Sequence, residues 1–128
     1  MFIRFVIHDT DEDSGKRKGL FQASYELREA GALDRYEEER LITILEWFNK
    51  HLARPHSLSK SRKPHAKNVA ISWFKDSAQE HIAKMFELKT ILESHDLGVD
   101  VIRTTRPGYV VYEDEFQLTA QPYAETLT

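Results

Sequence analysis

The stretch HDTDEDSGKRKG near the N-terminus concentrates carboxylates and amines that could bind an ion. Asp9, Asp11 and Asp13 repeat the first three ligand positions of an EF-hand loop, in which oxygen atoms surround a calcium ion. The rest of that pattern is missing, since the sixth position is Ser14 rather than glycine and the twelfth is Leu20 rather than glutamate. We therefore expect no EF-hand site, and we predict no cofactor.

The second half of this stretch, SGKRKG, could instead bind a phosphate if it leads into a helix, because backbone N–H groups at a helix N-terminus attract anions. It lacks the G-x-x-x-x-G-K-[ST] pattern of a phosphate-binding loop, and four carboxylates immediately upstream would repel an anion. The favoured interpretation is a solvated polar loop between a strand and a helix, with Asp13 or Ser14 capping that helix.

A second candidate site lies in the basic stretch SKSRKPHAK. Its candidate binding residues are Lys60, Arg62, Lys63, His65 and Lys67. Such side chains supply the phosphate contacts of nucleic-acid-binding proteins, and Trp47, Trp73 and Phe74 could stack on bases. The alternatives are that both tryptophans belong to the core, or that the loop binds an acidic protein.

Charge is strongly segregated along the chain. No Asp or Glu occurs from Trp47 to Lys75, whereas this window holds seven of the 18 basic residues. The other 11 basic residues stand among all 21 acidic ones, so the net charge of -3 conceals strong local fields. We predict a non-catalytic binding module that contacts another protein or a second copy through its acidic loop (9–13) and basic loop (60–67). If Asp11 or Asp13 lies within salt-bridge distance of Arg62, Lys63 or His65, both loops line one cleft.

A metal-dependent hydrolase is a further alternative. Glu113, Asp114 and Glu115 could join the aspartates of the acidic loop in holding two metal ions. A simple acidic hairpin turn explains the same three residues. No H-x-x-x-H or G-x-S-x-G pattern marks a zinc site or a nucleophilic serine, and the sequence leaves open whether the protein is an enzyme.

The elements that must position these residues follow from hydrophobic periodicity and turn signals. Strands are predicted at residues 2–7, 68–74, 99–104, 109–112 and 116–120. The first is apolar on both faces apart from Arg4, so it is predicted to lie in the centre of the sheet. Helices are predicted at 20–30, from Asp34 to a stop at Pro55, and from an Asp76 cap to a turn at 96–98. Asp34 and Glu37 have the spacing of a capping box, and the core face predicted for the third helix includes Phe86. RPGY is predicted to form a type II turn. The order β-α-α-β-α-β-β-β predicts an α+β fold with a mixed or mostly antiparallel sheet and helices on one face.

Length and composition place this fold in a single domain, residues 1–128, of a cytoplasmic protein. The chain has no cysteine and no apolar run approaching the roughly 20 residues of a membrane span. It also lacks a signal-peptide pattern. We therefore expect no membrane association.

Three groups of motifs, DEDSG with GLF, PHAK with SWFKD, and RPGYVVYEDE, are spread over most of the chain. Together they resemble a recurring group of small bacterial proteins of uncharacterised function. The resemblance implies a bacterial cytosolic protein and carries no activity with it.

Overall fold

The computed structural model describes residues 1–12, 15–54 and 70–128. These residues form six strands and three helices, which confirms the α+β class. The strands are β1 (Phe2–Thr10), β2 (Arg17–Gly19), β3 (Ile71–Lys75), β4 (Val99–Thr104), β5 (Tyr109–Glu113) and β6 (Gln117–Gln121). The helices are α1 (Leu20–Glu29), α2 (Arg35–His51) and α3 (Gln79–Glu93). The order is the predicted one with the short strand β2 added.

The sheet has the order β2-β1-β3-β6-β5, and β4 pairs with β1. Antiparallel registers join β1 to β2, β1 to β3, β3 to β6 and β5 to β6. The central position predicted for β1 is confirmed, because it pairs with more than one strand and its five residues 3–7 are all buried. A run buried on both faces is typical of an interior strand.

By internal contacts the chain divides into two compact units. The first contains Met1–Arg4, Ala53–Ile82 and Val101–Thr128, and the second contains Phe5–Leu52 and Ala83–Asp100. The elements β1, α3 and β4 contribute residues to both units. The single-domain organisation stays a prediction.

The first unit is built on β3, β5 and β6. Its buried apolar residues include Ile71, Trp73, Phe74, Val111, Leu118 and Ala120. The predicted turn at RPGY is wrong in type, because Gly108 has φ +139°, whereas a type II turn needs about +80° at this position. It also joins strands that are not partners, since β4 pairs with β1 and β5 pairs with β6. In contrast, β5 and β6 do pair, and the acidic residues 113–115 lie at the turn between them.

The second unit packs α1, α2 and the C-terminal part of α3 with the latter half of β1. Its buried residues include Phe5, Val6, Ile7, Leu20, Leu41, Ile44, Leu45, Phe48, Met85, Leu88 and Leu92. Phe21 meets Phe48 edge-on at a ring distance of 4.9 Å, and Phe5 meets Phe86 in the same way at 5.1 Å. Such aromatic pairs add to the stabilisation from burial alone.

The helix ends test the predicted caps. Asp34 and Glu37 form the capping box expected from their spacing, each side chain bonding the other's backbone N–H. The predicted cap of α1 is wrong, because its N-cap is Gly19 and no side chain caps it. The Asp76 cap is also displaced, since α3 begins at Gln79. The predicted stop at Pro55 lies outside the described residues.

Candidate binding surfaces

Within the stretch HDTDEDSGKRKG, residues 8–10 and 17–19 belong to two paired strands, β1 and β2, rather than to the predicted strand-to-helix loop. β1 runs on to Thr10 and pairs there with Arg17 of β2. The connection is closed by the Asp11 N–H donating to the Lys16 carbonyl at 2.7 Å and the Gly15 N–H donating to the Asp11 carbonyl at 2.9 Å. The prediction failed because a three-residue strand has no recognisable period and forms through its partner.

Two side-chain contacts dock this hairpin on α1. The Gln22 amide donates to Oδ1 of Asp11 at 3.1 Å, and the Lys18 ammonium donates to both carboxylate oxygens of Glu26 at 2.6 and 3.0 Å. The hydrogen bond to Glu26 raises the pKa of Lys18 despite partial burial, and the charges of Asp9 and Asp11 raise it further. Asp9 itself is exposed. Asp9 and Asp11 therefore lie on a hairpin that side-chain contacts attach to α1.

The Arg17 guanidinium makes two hydrogen bonds at the base of the hairpin. Nε donates to the Ile7 carbonyl at 2.9 Å, and Nη2 donates to Oδ2 of Asp100 at 2.6 Å. This hydrogen bond holds the pKa of Asp100 below its ordinary value, although burial opposes the shift. His8 Nδ1 lies 3.9 Å from the same carboxylate oxygen. Because Arg17 and Lys18 bond to protein groups, the basic half of the stretch is a poor phosphate loop.

The acidic turn between β5 and β6 also has internal roles. Glu113 pairs with Lys75 at 2.7 Å. Asp114 accepts bonds from the Tyr112 hydroxyl, the Phe116 and Gln117 backbone N–H groups and the Gln117 amide, at 2.7 to 3.2 Å. Throughout the described ranges, no group of three or more His, Asp or Glu residues could hold a metal ion. These contacts favour the simple acidic hairpin turn over the two-metal hydrolase.

Of the three aromatic residues expected to stack on bases, only Trp47 remains a candidate. Trp73 is 1% exposed and Phe74 is buried beside it in β3, so the prediction that these two residues stack on bases is wrong. Trp47 is half-buried and stacks on His51 with ring centroids 4.4 Å apart. The Lys84 ammonium lies 5.7 Å from its ring centroid, a cation–π distance.

A surface groove between α2 and α3 in the second unit was not anticipated from the sequence. It has a volume of about 290 Å³, and its lining includes Tyr36, Arg40, Thr43, Ile44, Lys84 and Glu87. Glu87 accepts a hydrogen bond from Arg40 Nη2 at 3.3 Å and lies 4.0 Å from Lys84 Nζ. The spacing of Tyr36, Arg40 and Trp47, at four and then seven residues, is the signal that could have placed them on one helix face.

Most of the predicted site residues fall in the parts of the chain that the structure does not describe. Lys60, Arg62, Lys63, His65, Lys67 and Asp13 all lie there, and Asp11 is the described member of the predicted site. The predicted cleft between the acidic and basic loops therefore stays a prediction.

No protein-family model, curated protein or solved structure matches this chain. The resemblance of its motifs to small bacterial proteins therefore stays a hypothesis. Within the described residues, none of the helices has the length and apolar character that crossing a membrane requires.

Proposed function

We propose that this protein is a binding module that recognises its partner through two surfaces of opposite charge. The first is the acidic tip, Asp9 and Asp11 of the acidic loop (9–13), and the second is the basic loop, residues 60–67. The observation that carries the proposal is that Asp11 is hydrogen-bonded through both its main chain and its side chain. The Asp11 main chain closes the hairpin and its side chain bonds Gln22 on α1. A preorganised charged surface loses little conformational entropy when it binds.

A second copy of the chain is the partner that best suits these two surfaces. Each copy carries both charges, so an isologous dimer would bring each acidic tip against the partner's basic loop, with two equivalent contacts. Opposite charges on facing surfaces speed encounter and exclude wrong partners. The proposal includes a bacterial cytoplasmic location, which the motif resemblance supports.

Variants in which the charge of one surface is reversed test the proposal. One variant carries Asp9→Lys and Asp11→Lys, and another carries Lys60→Glu, Arg62→Glu and Lys63→Glu. In sedimentation experiments the wild type should dimerise at about 50 mM salt and dissociate at about 500 mM salt, where the screening length is only a few ångströms. Each variant alone should be monomeric, and an equimolar mixture should recover the dimer. A wild type that stays monomeric at low salt, or a mixture that does not associate, contradicts the proposal.

Nucleic-acid binding through the basic loop is a second candidate function. The favouring observation is the half-buried Trp47, which stacks on His51 near the end of α2, before the chain enters the basic stretch. Anisotropy with a labelled single-stranded oligonucleotide tests it. Affinity should fall steeply with salt and be lost when Lys60, Arg62 and Lys63 become alanine. An oligonucleotide that does not bind even at low salt excludes this function.

A further inference from the structure

The exposed face of α2 beside the α2–α3 groove has an ordered arrangement of side chains. Tyr36, Arg40 and Trp47 follow one another at intervals of one and two helical turns. Trp47 lies 11 positions after Tyr36, which corresponds to about 16 Å along the helix axis. Lys84 and Glu87 of α3 line the groove between them. The groove thus has the exposed ring of Tyr36 beside two cations, and Trp47 lies further along the same face of α2.

The charge inside the groove favours an anion. Arg40 and Lys84 share the single carboxylate of Glu87, at 3.3 and 4.0 Å. The other acidic residue of the lining, Glu39, is paired with Arg35 at 3.2 Å. The lining itself holds two cations and two carboxylates, so the net positive charge of one comes from including Arg35, which pairs with Glu39. Because their side chains are 44% and 33% exposed, the bonds to Glu87 are weak enough for an entering anion to replace them.

A phosphate suits this pair of cations better than Glu87 does. The Arg40 guanidinium can donate two parallel hydrogen bonds to phosphate oxygens, whereas it now makes one contact with Glu87 at 3.3 Å. The Lys84 ammonium supplies a second positive charge from the facing helix. A phosphate between Arg40 and Lys84 would therefore be held from two sides.

The aromatic residues favour a planar ring next to that phosphate. Tyr36 is 70% exposed at the groove, although it is a large aromatic side chain. Trp47 already accepts one planar partner, His51, on its ring, and a cation, Lys84, lies above it. Aromatic faces stack on every type of base and so bind nucleotides with little sequence preference.

We propose that the α2–α3 groove binds a nucleotide unit, with the phosphate between Arg40 and Lys84 and the base on Tyr36. The groove volume of about 290 Å³ lies near the lower end of the usual range for small-ligand sites. The same chemistry occurs in a free nucleotide and in single-stranded nucleic acid. The inference does not use the basic loop, so it stands independently of the proposed function.

The test measures binding of adenosine monophosphate and of a fluorescein-labelled thymidine decamer. Tyr36→Ala should weaken binding about tenfold, the effect of losing one stacked base, whereas Tyr25→Ala, an exposed tyrosine on α1, should not. Arg40→Ala should lower the salt slope for the decamer by about 0.7. The matched control is Arg103→Ala, at an exposed arginine on β4 that does not line the groove. Glu87→Gln should tighten binding about threefold, because a competitor for both cations is removed.

The gain expected from Glu87→Gln separates a binding effect from loss of fold, since an unfolded variant cannot bind more tightly. Competition by the mononucleotide would identify a free nucleotide as ligand, and binding of the decamer alone would identify a single strand. The inference is overturned if neither probe binds the wild type. It is also overturned if binding is unchanged by Tyr36→Ala and Glu87→Gln but lost when Lys60, Arg62 and Lys63 become alanine, which would leave the basic loop as the site.

Discussion

Glu37 connects the start of α2 to the turn after α3 by accepting a hydrogen bond from His95. Both carboxylate oxygens lie 3.0 Å from Nε2 of the imidazole, and the Ser94 hydroxyl donates to Oε2 at 3.2 Å. The same carboxylate accepts the Asp34 backbone N–H in the capping box. One side chain therefore both caps α2 and fixes the residues that follow α3.

This relationship predicts loss of stability in acid. The hydrogen bond from the Asp34 N–H, followed by that from His95, lowers the pKa of Glu37. A lowered pKa in the folded state gives stability that is fully present above the ordinary glutamate pKa of about 4.3 and is lost as the pH falls through the lower value. Glu37→Gln should therefore make the melting temperature depend less on pH between about pH 6 and pH 3.

Glu46→Gln, at an exposed carboxylate on the same helix, is the matched control and should keep the wild-type pH profile. An unchanged acid profile in Glu37→Gln would show that the network contributes nothing to stability.

Two glycines should respond in opposite ways to a side chain. At Gly108, φ is +139° and an added Cβ would clash with the backbone carbonyl of Gln121, so Gly108→Ala should cost about 2 kcal/mol or more. At Gly19 nothing lies within 4 Å of an added Cβ, and φ is -76°. Gly19→Ser places a capping hydroxyl at the start of α1 and should stabilise the protein by a few tenths of a kcal/mol. Urea unfolding measures both, and equal effects would contradict the prediction.

The sequence predicted the elements whose residues carry their own pattern. The continuous apolar run of β1 and the Asp34 capping box were both predicted correctly, because neighbouring residues determine them. In α3, the helical spacing of apolar residues placed Phe86 in the core, although its side chain is 41% exposed, and missed the buried Leu88. Helical spacing identifies the apolar side of a helix, but it does not show how much of the helix surface neighbouring elements cover.

The candidate site was harder to predict because its contacts are distant in sequence. Arg17 bonds Asp100, 83 residues away, and Arg40 bonds Glu87, 47 residues away. Charge patterning along the chain cannot identify such partners, so Arg17 had the appearance of a free cation. The two tryptophans show the same limit, since the burial of Trp73 depends on its pairing with Leu118 in β6.

Arg17 should be replaceable by neither alanine nor lysine. Its Nε bond to the Ile7 carbonyl and its Nη2 bond to Asp100 require the guanidinium fork. We expect Arg17→Lys to lose about 1 kcal/mol for the Ile7 bond and to speed amide hydrogen exchange in β2. Arg35→Lys, the same substitution at an arginine of α2 whose side chain is 93% exposed, is the control and should leave that exchange unchanged. Full protection of β2 in Arg17→Lys would show that charge alone fixes the hairpin.

The pair of Tyr112 and Asp114 should be visible in alkaline titration. Burial raises the pKa of Asp114, but the hydrogen bonds from Tyr112, Phe116 and Gln117 outweigh it and bring the pKa below the ordinary value. In turn, the hydrogen bond to Asp114 raises the pKa of Tyr112, and burial raises it further. A raised tyrosine pKa gives stability that is present below the ordinary value of about 10 and is lost as the pH rises through the folded value.

Asp114→Asn should therefore move the Tyr112 titration to lower pH, since it removes the negative charge that opposes tyrosinate formation. Ultraviolet absorbance of each protein, minus that of its Tyr112→Phe counterpart, isolates this tyrosine from the other four. Glu115→Gln removes a neighbouring charge and should shift the titration far less, because the 2.7 Å hydrogen bond from Tyr112 goes to Asp114. Equal shifts in the two variants would mean that general acidity of the turn, rather than this bond, controls Tyr112.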